Sequence, residues 1–303
     1  MKKNIVLYLS KSFTWVLKKP FQEHSLRFQI QTEALADFFS SDTIQVFLTQ
    51  SKISHVWENT FIPQFIKKWD KWETHNKEVT ADFVLGSYIP EAVTRKLFSL
   101  KHIFIDKKKT ENLFPEYIIK SIICENYSEI QESFPKISST LKVLKPQFWT
   151  QWKWIFIQEK IPKEEEIEQK FYPYILQEFF DTSEGFGTYS WIHDFRVIIL
   201  NGKIIGKVLR QPNDGWFISN TSQSGKIIDL ENYVIPEKIQ DIINDIDSYF
   251  GSISPERLYS IDFGIWVGGE IKIFEMNGSP ALSFPHITHK LWSYIIKKTL
   301  KDS

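Results

Sequence analysis

The sequence predicts a mixed fold, α/β over its first third and α+β beyond. Three observations carry this reading. Strand-like and helix-like segments alternate over roughly the first 105 residues. Two segments rich in β-branched and aromatic residues each enclose a two-residue turn signal: DFRVIILNGKIIGKVLR (194–210) around Asn201-Gly202, and SIDFGIWVGGEIKIFEMNGSP (260–280) around Gly268-Gly269. Between them, PEKIQDIINDIDSYF (236–250) has apolar residues at helical spacing, with Pro236 near its start.

In chain order, residues 4–9 (NIVLYL) read as a strand, 26–39 (LRFQIQTEALADFF) as a helix, and 43–49 and 82–88 as strands. Together they predict a small α/β unit over 1–105. Residues 52–78 are rich in Trp and Lys and have no clean period. A new unit starts near Ile105-Asp106-Lys107. Residues 115–123 are expected to be helical, and 140–145, 152–158 and 174–180 to be strands. The acidic run KEEEIEQK (163–170) reads as a solvated face, and 211–226 as a polar loop. A last helix follows Pro285. No internal repeat is present.

The bulk properties are those of a soluble globular protein. The 303 residues suffice for one large or two to three small domains. The 37 basic and 37 acidic residues balance, so no net field argues for nucleic acid or a membrane surface. No stretch approaches the ~20 apolar residues of a membrane span. The N-terminal apolar run is a first strand rather than a signal peptide. A single cysteine, Cys124, excludes an internal disulfide and suits a reducing compartment, so a cytoplasmic location is expected. The 25 Phe, 11 Trp and 11 Tyr are read as core.

The chemistry is concentrated in the last hairpin. If Gly268-Gly269 is the turn, opposed residues have numbers summing to 537, so Asp262 faces Glu275 and Asn277 continues on the face of Glu275. Directly opposed carboxylates repel. A hard divalent cation wants such oxygens, so the hairpin reads as a Mg²⁺ platform serving a nucleotide phosphate. Lys145, at a strand end before Pro146, suits a phosphate as a point charge. Arg196 and Arg210 bracket the other hairpin. A plain two-residue turn there pairs His193 with Arg210 and Arg196 with Lys207, placing the two arginines on opposite faces, whereas a bulge would change this register. No P-loop, GxGxxG or nucleophile elbow is present.

In order and spacing, IDKKKT (105–110), LKP (144–146), LQEFFD (176–181), HDFRVIILNGK (193–203), VLRQP (208–212), Ser219-Asn220 with Gly225-Lys226, IDFG (261–264) and FEMNGSP (274–280) resemble the ATP-grasp superfamily, especially its RimK-type and glutathione-synthetase-like ligases. The resemblance covers about residues 106–284. It implies an ATP-grasp fold with a small N-terminal pre-ATP-grasp domain (1–105) and an ATP-grasp domain (106–303), split into subdomains 106–175 and 176–303 with ATP between them. It also implies that a carboxylate is phosphorylated to an acylphosphate, which an amine then attacks. On this resemblance Asp262, Glu275 and Asn277 would hold Mg²⁺ (or Mn²⁺). Lys145 and Lys107 would contact ATP phosphates. Gln177, Glu178 and Phe179 would form the adenine hinge, with Asp181 or Glu184 near the ribose. Asn220 would sit near phosphates and metal. Arg210 would stabilise the transferring phosphoryl group, with Arg196 beside the nucleotide.

The chain departs from the family in one segment. Where a glycine-rich loop usually covers the phosphates, PQFWTQWKWIFI (146–157) has no glycine. The expected activity is carboxylate–amine ligation on an amino acid, a peptide or a modified peptide. The partners are then a carboxylate substrate and an amine acceptor, and relatives often form homo-oligomers. The alternatives are an ATP-grasp small-molecule kinase and a non-catalytic nucleotide-binding protein.

Overall fold

The computed structural model describes residues 2–8, 43–49, 55–68, 71–86, 92–93, 98–148, 154–184, 186–189, 191–212, 225–266, 269–278, 280 and 284–301. By their contacts the residues divide into two compact units, 1–98 with 281–303, and 99–280. The division falls after residue 98 rather than 105. The C-terminal helix Pro285–Lys301, expected in the second unit, groups with the first. That helix buries Ile287, Leu291 and Ile295, one stripe at i, i+4, i+8. No described helix is long and apolar enough to cross a membrane.

The first unit holds β1 (Lys3–Tyr8), β2 (Ile44–Thr49), β3 (His55–Trp57), β4 (Thr60–Phe61), β5 (Phe65–Lys68), β6 (Lys71–Thr74), β7 (Val79–Thr80) and β8 (Phe83–Gly86). One sheet runs β6-β5-β2-β1-β8, and β1 is parallel to both neighbours. Its strands are apolar because parallel strands are usually covered on both faces: Val6, Phe47 and Val84 join Phe61, Ile66 and Val79 in one core. The segment without a clean period contains β3 to β6, which are too short to display one. The helix expected at 26–39 lies outside the described residues.

In the second unit the short strand β9 (Phe98–Ser99) leads into α1 (Lys101–Phe104), α2 (Lys107–Leu113), β10 (Ser121–Cys124) and α3 (Tyr127–Ser133). The strands β11 (Lys142–Pro146), β12 (Phe156–Gln158) and β13 (Tyr174–Glu178) complete an antiparallel sheet of order β10-β13-β11-β12. One face of it packs Leu144, Tyr174 and Leu176 against Cys124, Ile130 and Phe134. The helix expected over 115–123 begins and ends earlier. The Asp106 side chain accepts from the Lys108 and Lys109 amides and starts α2 at Lys107, while residues 121–124 are drawn into β10 by pairing with β13. The strand expected at 152–158 is seen from Phe156, and 149–153 lie outside the described residues.

A larger antiparallel sheet follows, in the order β16 (Lys226–Asp229), β15 (Lys203–Gln211), β14 (Asp194–Leu200), β17 (Arg257–Ile265) and β18 (Ile271–Asn277). Helix α4 (Glu237–Ile253) buries Ile239, Ile242, Ile243, Ile246 and Phe250. Phe250 meets Tyr259 of β17 at 5.6 Å between ring centroids. The β14–β15 turn needs positive φ at both central residues, 49° at Asn201 and 78° at Gly202, as Asn-Gly permits.

A polar lock ties that turn to α4. Arg257 donates through Nε to Asp247 Oδ1 at 2.8 Å and through Nη2 to the other Asp247 oxygen, while its amide donates to Asn201 Oδ1 at 2.6 Å. Tyr259 donates to the same aspartate at 3.0 Å. Arg257 is 7% exposed. Removing one partner of a buried pair leaves the other unpaired, so Arg257→Ala is expected to cost about 3–5 kcal/mol of stability in a denaturant titration.

Candidate functional site

Register decides which charged groups meet. At its turn the β14–β15 hairpin pairs Leu200 with Lys203 and Ile199 with Ile204, as a two-residue turn requires. A bulge between Ile198 and Ile199 then shifts the ladder, so Arg196 faces Val208 and Asp194 faces Arg210. The plain register, with Arg196 opposite Lys207 and His193 opposite Arg210, is therefore corrected. Both arginines now lie on one face, with Asp194 directly opposite Arg210.

The β17–β18 pairing is also irregular. Ile265 faces Ile271, and the Trp266 N–H donates to Glu270 O at 2.9 Å, so the loop spans three residues, not two. A bulge between Asp262 and Phe263 restores the expected sum, and Asp262 faces Glu275 while Ser260 faces Asn277. Two departures cancel at the carboxylates. The bulge also turns both Phe274 and Glu275 to the lining of one cleft.

That cleft, open to solvent, lies between the two sheets of the second unit. Lys145, Ile175 and Gln177 line one wall, Lys107 and Glu111 project from α2, and Phe274, Glu275 and Met276 form the far wall. Lys107 sits in the first turn of α2. Its Nζ donates to the Pro146 and Gln147 carbonyls at 3.2 and 3.4 Å. Gln147 Nε2 bonds Asp106 Oδ1 at 2.8 Å, fastening the end of β11 to the start of α2 and bringing the two lysines together.

Lys145 and Glu275 make no side-chain hydrogen bond or ion pair among the described residues. Burial lowers the Lys145 pKa to about 8, helped by the neighbouring Lys107 and opposed by Glu275 and Glu111. Burial also lowers Lys107, against the pull of Glu275 and Asp106. A cleft with lysines on one side and a carboxylate on the other fits a metal–polyphosphate, which carries both signs of charge.

Asp262 is 1% exposed. Its oxygens accept from Arg196 Nε and Nη2 at 2.6 and 2.7 Å, and from Arg210 Nη2 at 2.8 Å. Asn277 Nδ2 approaches Oδ2 at 3.4 Å. Burial alone would raise the Asp262 pKa, but the two guanidiniums overcome it and hold the group below the usual range. Arg210 also forks onto Asp194, Nε to Oδ1 at 2.6 Å and Nη2 to Oδ2 at 2.8 Å. Burial would lower Arg210, yet Asp194 and Asp262 together raise it. Burial pushes Asp194 up to about 6 against the pull of Arg210, which leaves it ionised at neutral pH. A carboxylate offers about four lone-pair sites. Three guanidinium bonds and the long Asn277 contact occupy those of Asp262, so a cation there would displace a donor, whereas the Glu275 carboxylate accepts from no described residue.

The other expected residues divide. Gln177 is buried and lines the cleft. Glu178 is exposed, and its side chain leaves the opposite face of β13. Phe179 is half-buried, and its amide donates to Leu141 O at 3.2 Å. Asp181 is exposed and accepts from the Ser183 amide at 2.8 Å; Glu184 is exposed too, and neither lines the cleft. Asn220 lies outside the described residues. Of the glycine-free segment, Gln147 serves as the clamp on Asp106, and Phe148 is exposed.

Two contributors escaped the sequence reading. Asp194 is visible only in the shifted register, although its D-x-R spacing already puts it on the face of Arg196. Phe274 packs edge-on to Phe180 at 6.0 Å and lies over Gly264, where a Cβ would come within 2.2 Å of Phe274 Cζ. Gly264→Ala should therefore displace the ring and remodel the cleft wall. The displaced ring is expected to be directly visible in a crystal structure of the variant.

A cleft of this kind between two sheets, lysines on one wall and a carboxylate on the other, is the layout of the ATP-grasp fold. More specifically, residues 106–247 match the profile of the RimK-like ATP-grasp domain. Over its whole length the chain has the ATP-grasp fold. It is similar to D-alanyl-alanine synthetase A from Vibrio cholerae (14% identity, TM-score 0.61, covering 100% of this chain and 98% of that one). It is similar also to macrocyclase MdnC from Microcystis aeruginosa, solved with precursor peptide MdnA (12%, 0.57, 97% and 99%). A third is the ATP-grasp ligase PsnB, solved with a phosphomimetic variant of its minimal precursor, Mg and ADP (12%, 0.58, 98% and 99%). No curated protein sequence matches.

Proposed function

We propose that the protein is an ATP- and Mg²⁺-dependent carboxylate–amine ligase acting on an amino acid or a peptide, and that it forms a C–N bond. One observation carries the reading: Lys145 and Glu275, both without hydrogen bonds among the described residues, line one cleft, a position that suits phosphate and metal. Solved structures of the same fold include one with Mg and ADP and two with precursor peptides, which supports the cofactors and favours a peptide substrate.

When bound, ATP supplies the phosphoryl group that converts a carboxylate into an acylphosphate, from which an amine displaces phosphate. The chain's residues supply positioning and charge, which is most of what phosphoryl transfer requires. Lys145 and Lys107 would hold phosphate oxygens. Glu275 and Asn277, with Asp262 once a donor on it is displaced, would hold Mg²⁺. Gln177 and the end of β13 would border the base, and Arg210 would face the transferring group. Lys145 carries its proton below about pH 8. Affinity for a polyphosphate is therefore expected to fall as pH rises from 7 to 9, checked by calorimetry at fixed ionic strength.

The test is ADP and phosphate release with a panel of amino acids and peptides, with mass spectrometry of the products. An amide-linked product supports ligation. A stable phosphorylated product would make the protein a kinase instead. The three guanidinium bonds already on Asp262 favour a second reading, a nucleotide-binding protein without turnover. Tight Mg·ATP binding with no product across the panel would decide for it.

A further inference from the structure

Within the proposed nucleotide site, and resting on that reading, the geometry points to Asp194 as the residue that positions Arg210 toward the terminal phosphate. Asp194 is buried and, among the described residues, its carboxylate bonds nothing but Arg210. The pair is directly cross-strand, an arrangement created by the bulge between Ile198 and Ile199. The fork takes Nε and one proton of Nη2, and Asp262 takes the other Nη2 proton at 2.8 Å. Nη1 has no partner among the described residues. Both of its protons remain for an anion.

The two carboxylates around Arg210 are not equivalent. Asp262 belongs to the metal platform and is already gripped by Arg196 through two bonds. A cation drawing on Asp262 competes with its single bond to Arg210. Asp194 has no such second duty, so its fork keeps the guanidinium plane fixed while the Asp262 bond is shared or lost. A forked carboxylate also fixes orientation in a way a point contact cannot. Arg210 is thereby preorganised, and its charge is not spent on wandering between two acids.

The experiment compares binding of Mg·AMP-PNP and Mg·ADP by calorimetry, which needs no knowledge of the carboxylate or the amine. Wild type is expected to favour Mg·AMP-PNP by about tenfold or more, the worth of a charge-assisted hydrogen bond to the terminal phosphate. Asp194→Asn should erase that preference and leave Mg·ADP affinity within about threefold, since the change acts only through Arg210. Asp194→Glu keeps the charge and moves the carboxylate by one methylene. It should lose the preference at near wild-type thermal stability, which covers the case in which the asparagine variant does not fold. Added to Arg210→Lys, Asp194→Asn should cause no further loss of preference. A retained preference in both Asp194 variants, or an equal fall for both nucleotides, would overturn the positioning role alone. A wild-type protein that binds neither nucleotide would overturn the site reading and this role together.

Discussion

Replacing Glu275 with glutamine is expected to lower Mg²⁺-dependent turnover by roughly a thousandfold or more. A metal contributes several kcal/mol of transition-state charge stabilisation, and each 1.36 kcal/mol is about tenfold in rate. The substitution keeps the shape of the side chain and removes its charge. Glu275 bonds no described residue, so its loss breaks no structural contact. It does remove a carboxylate that Lys107, Lys145 and Arg210 all feel. The half-saturating Mg²⁺ concentration should rise sharply while the denaturant midpoint stays close to wild type. Unchanged Mg²⁺ dependence in Glu275→Gln combined with Asn277→Ala would remove the hairpin from the metal site.

Arg210→Lys is expected to reduce turnover by about a hundredfold to a thousandfold, the usual effect of losing one preorganised donor to a developing negative charge. Lysine keeps the charge and loses the planar fork. Arg210 donates three bonds to two buried carboxylates and retains Nη1. An ammonium cannot satisfy both acids and still present a fixed donor. The apparent affinity for Mg·ADP should move only a fewfold, because the contact at issue lies beyond the second phosphate. Stability should fall as well, since Asp194 and Asp262 are buried and lose hydrogen bonds. Turnover must therefore be read at a temperature where the variant is folded. An equal loss of ADP affinity and turnover would assign Arg210 to general scaffolding instead.

Much of the fold was legible in the sequence because its periodic signals are strong. The isoleucine stripe of α4 and the Asn-Gly turn each have one physical solution, and both are found where expected. The N-terminus of α2 was missed because Asp106 acts as a cap, a local effect that a run of lysines conceals. Residues 121–124 took strand form through partners 50 to 56 residues away, which no local window can register.

By itself the sequence determined which chemistry was available: two carboxylates and an amide on one hairpin, a lysine at the end of β11, and arginines on a second hairpin. It also settled that Asp262 meets Glu275, although by a route it did not contain, a longer loop offset by a bulge. Only the tertiary structure decided which charges are spent and which remain. A one-residue bulge reverses every side chain beyond it. In β15 it brought Arg210 to the face of Arg196 and opposite Asp194, closing two arginines and two aspartates into one buried cluster. The same three-dimensional arrangement left Glu275 and Lys145 without side-chain hydrogen bonds among the described residues. Spacing along a chain fixes faces only while the ladder is regular, and at this site the ladder is irregular twice.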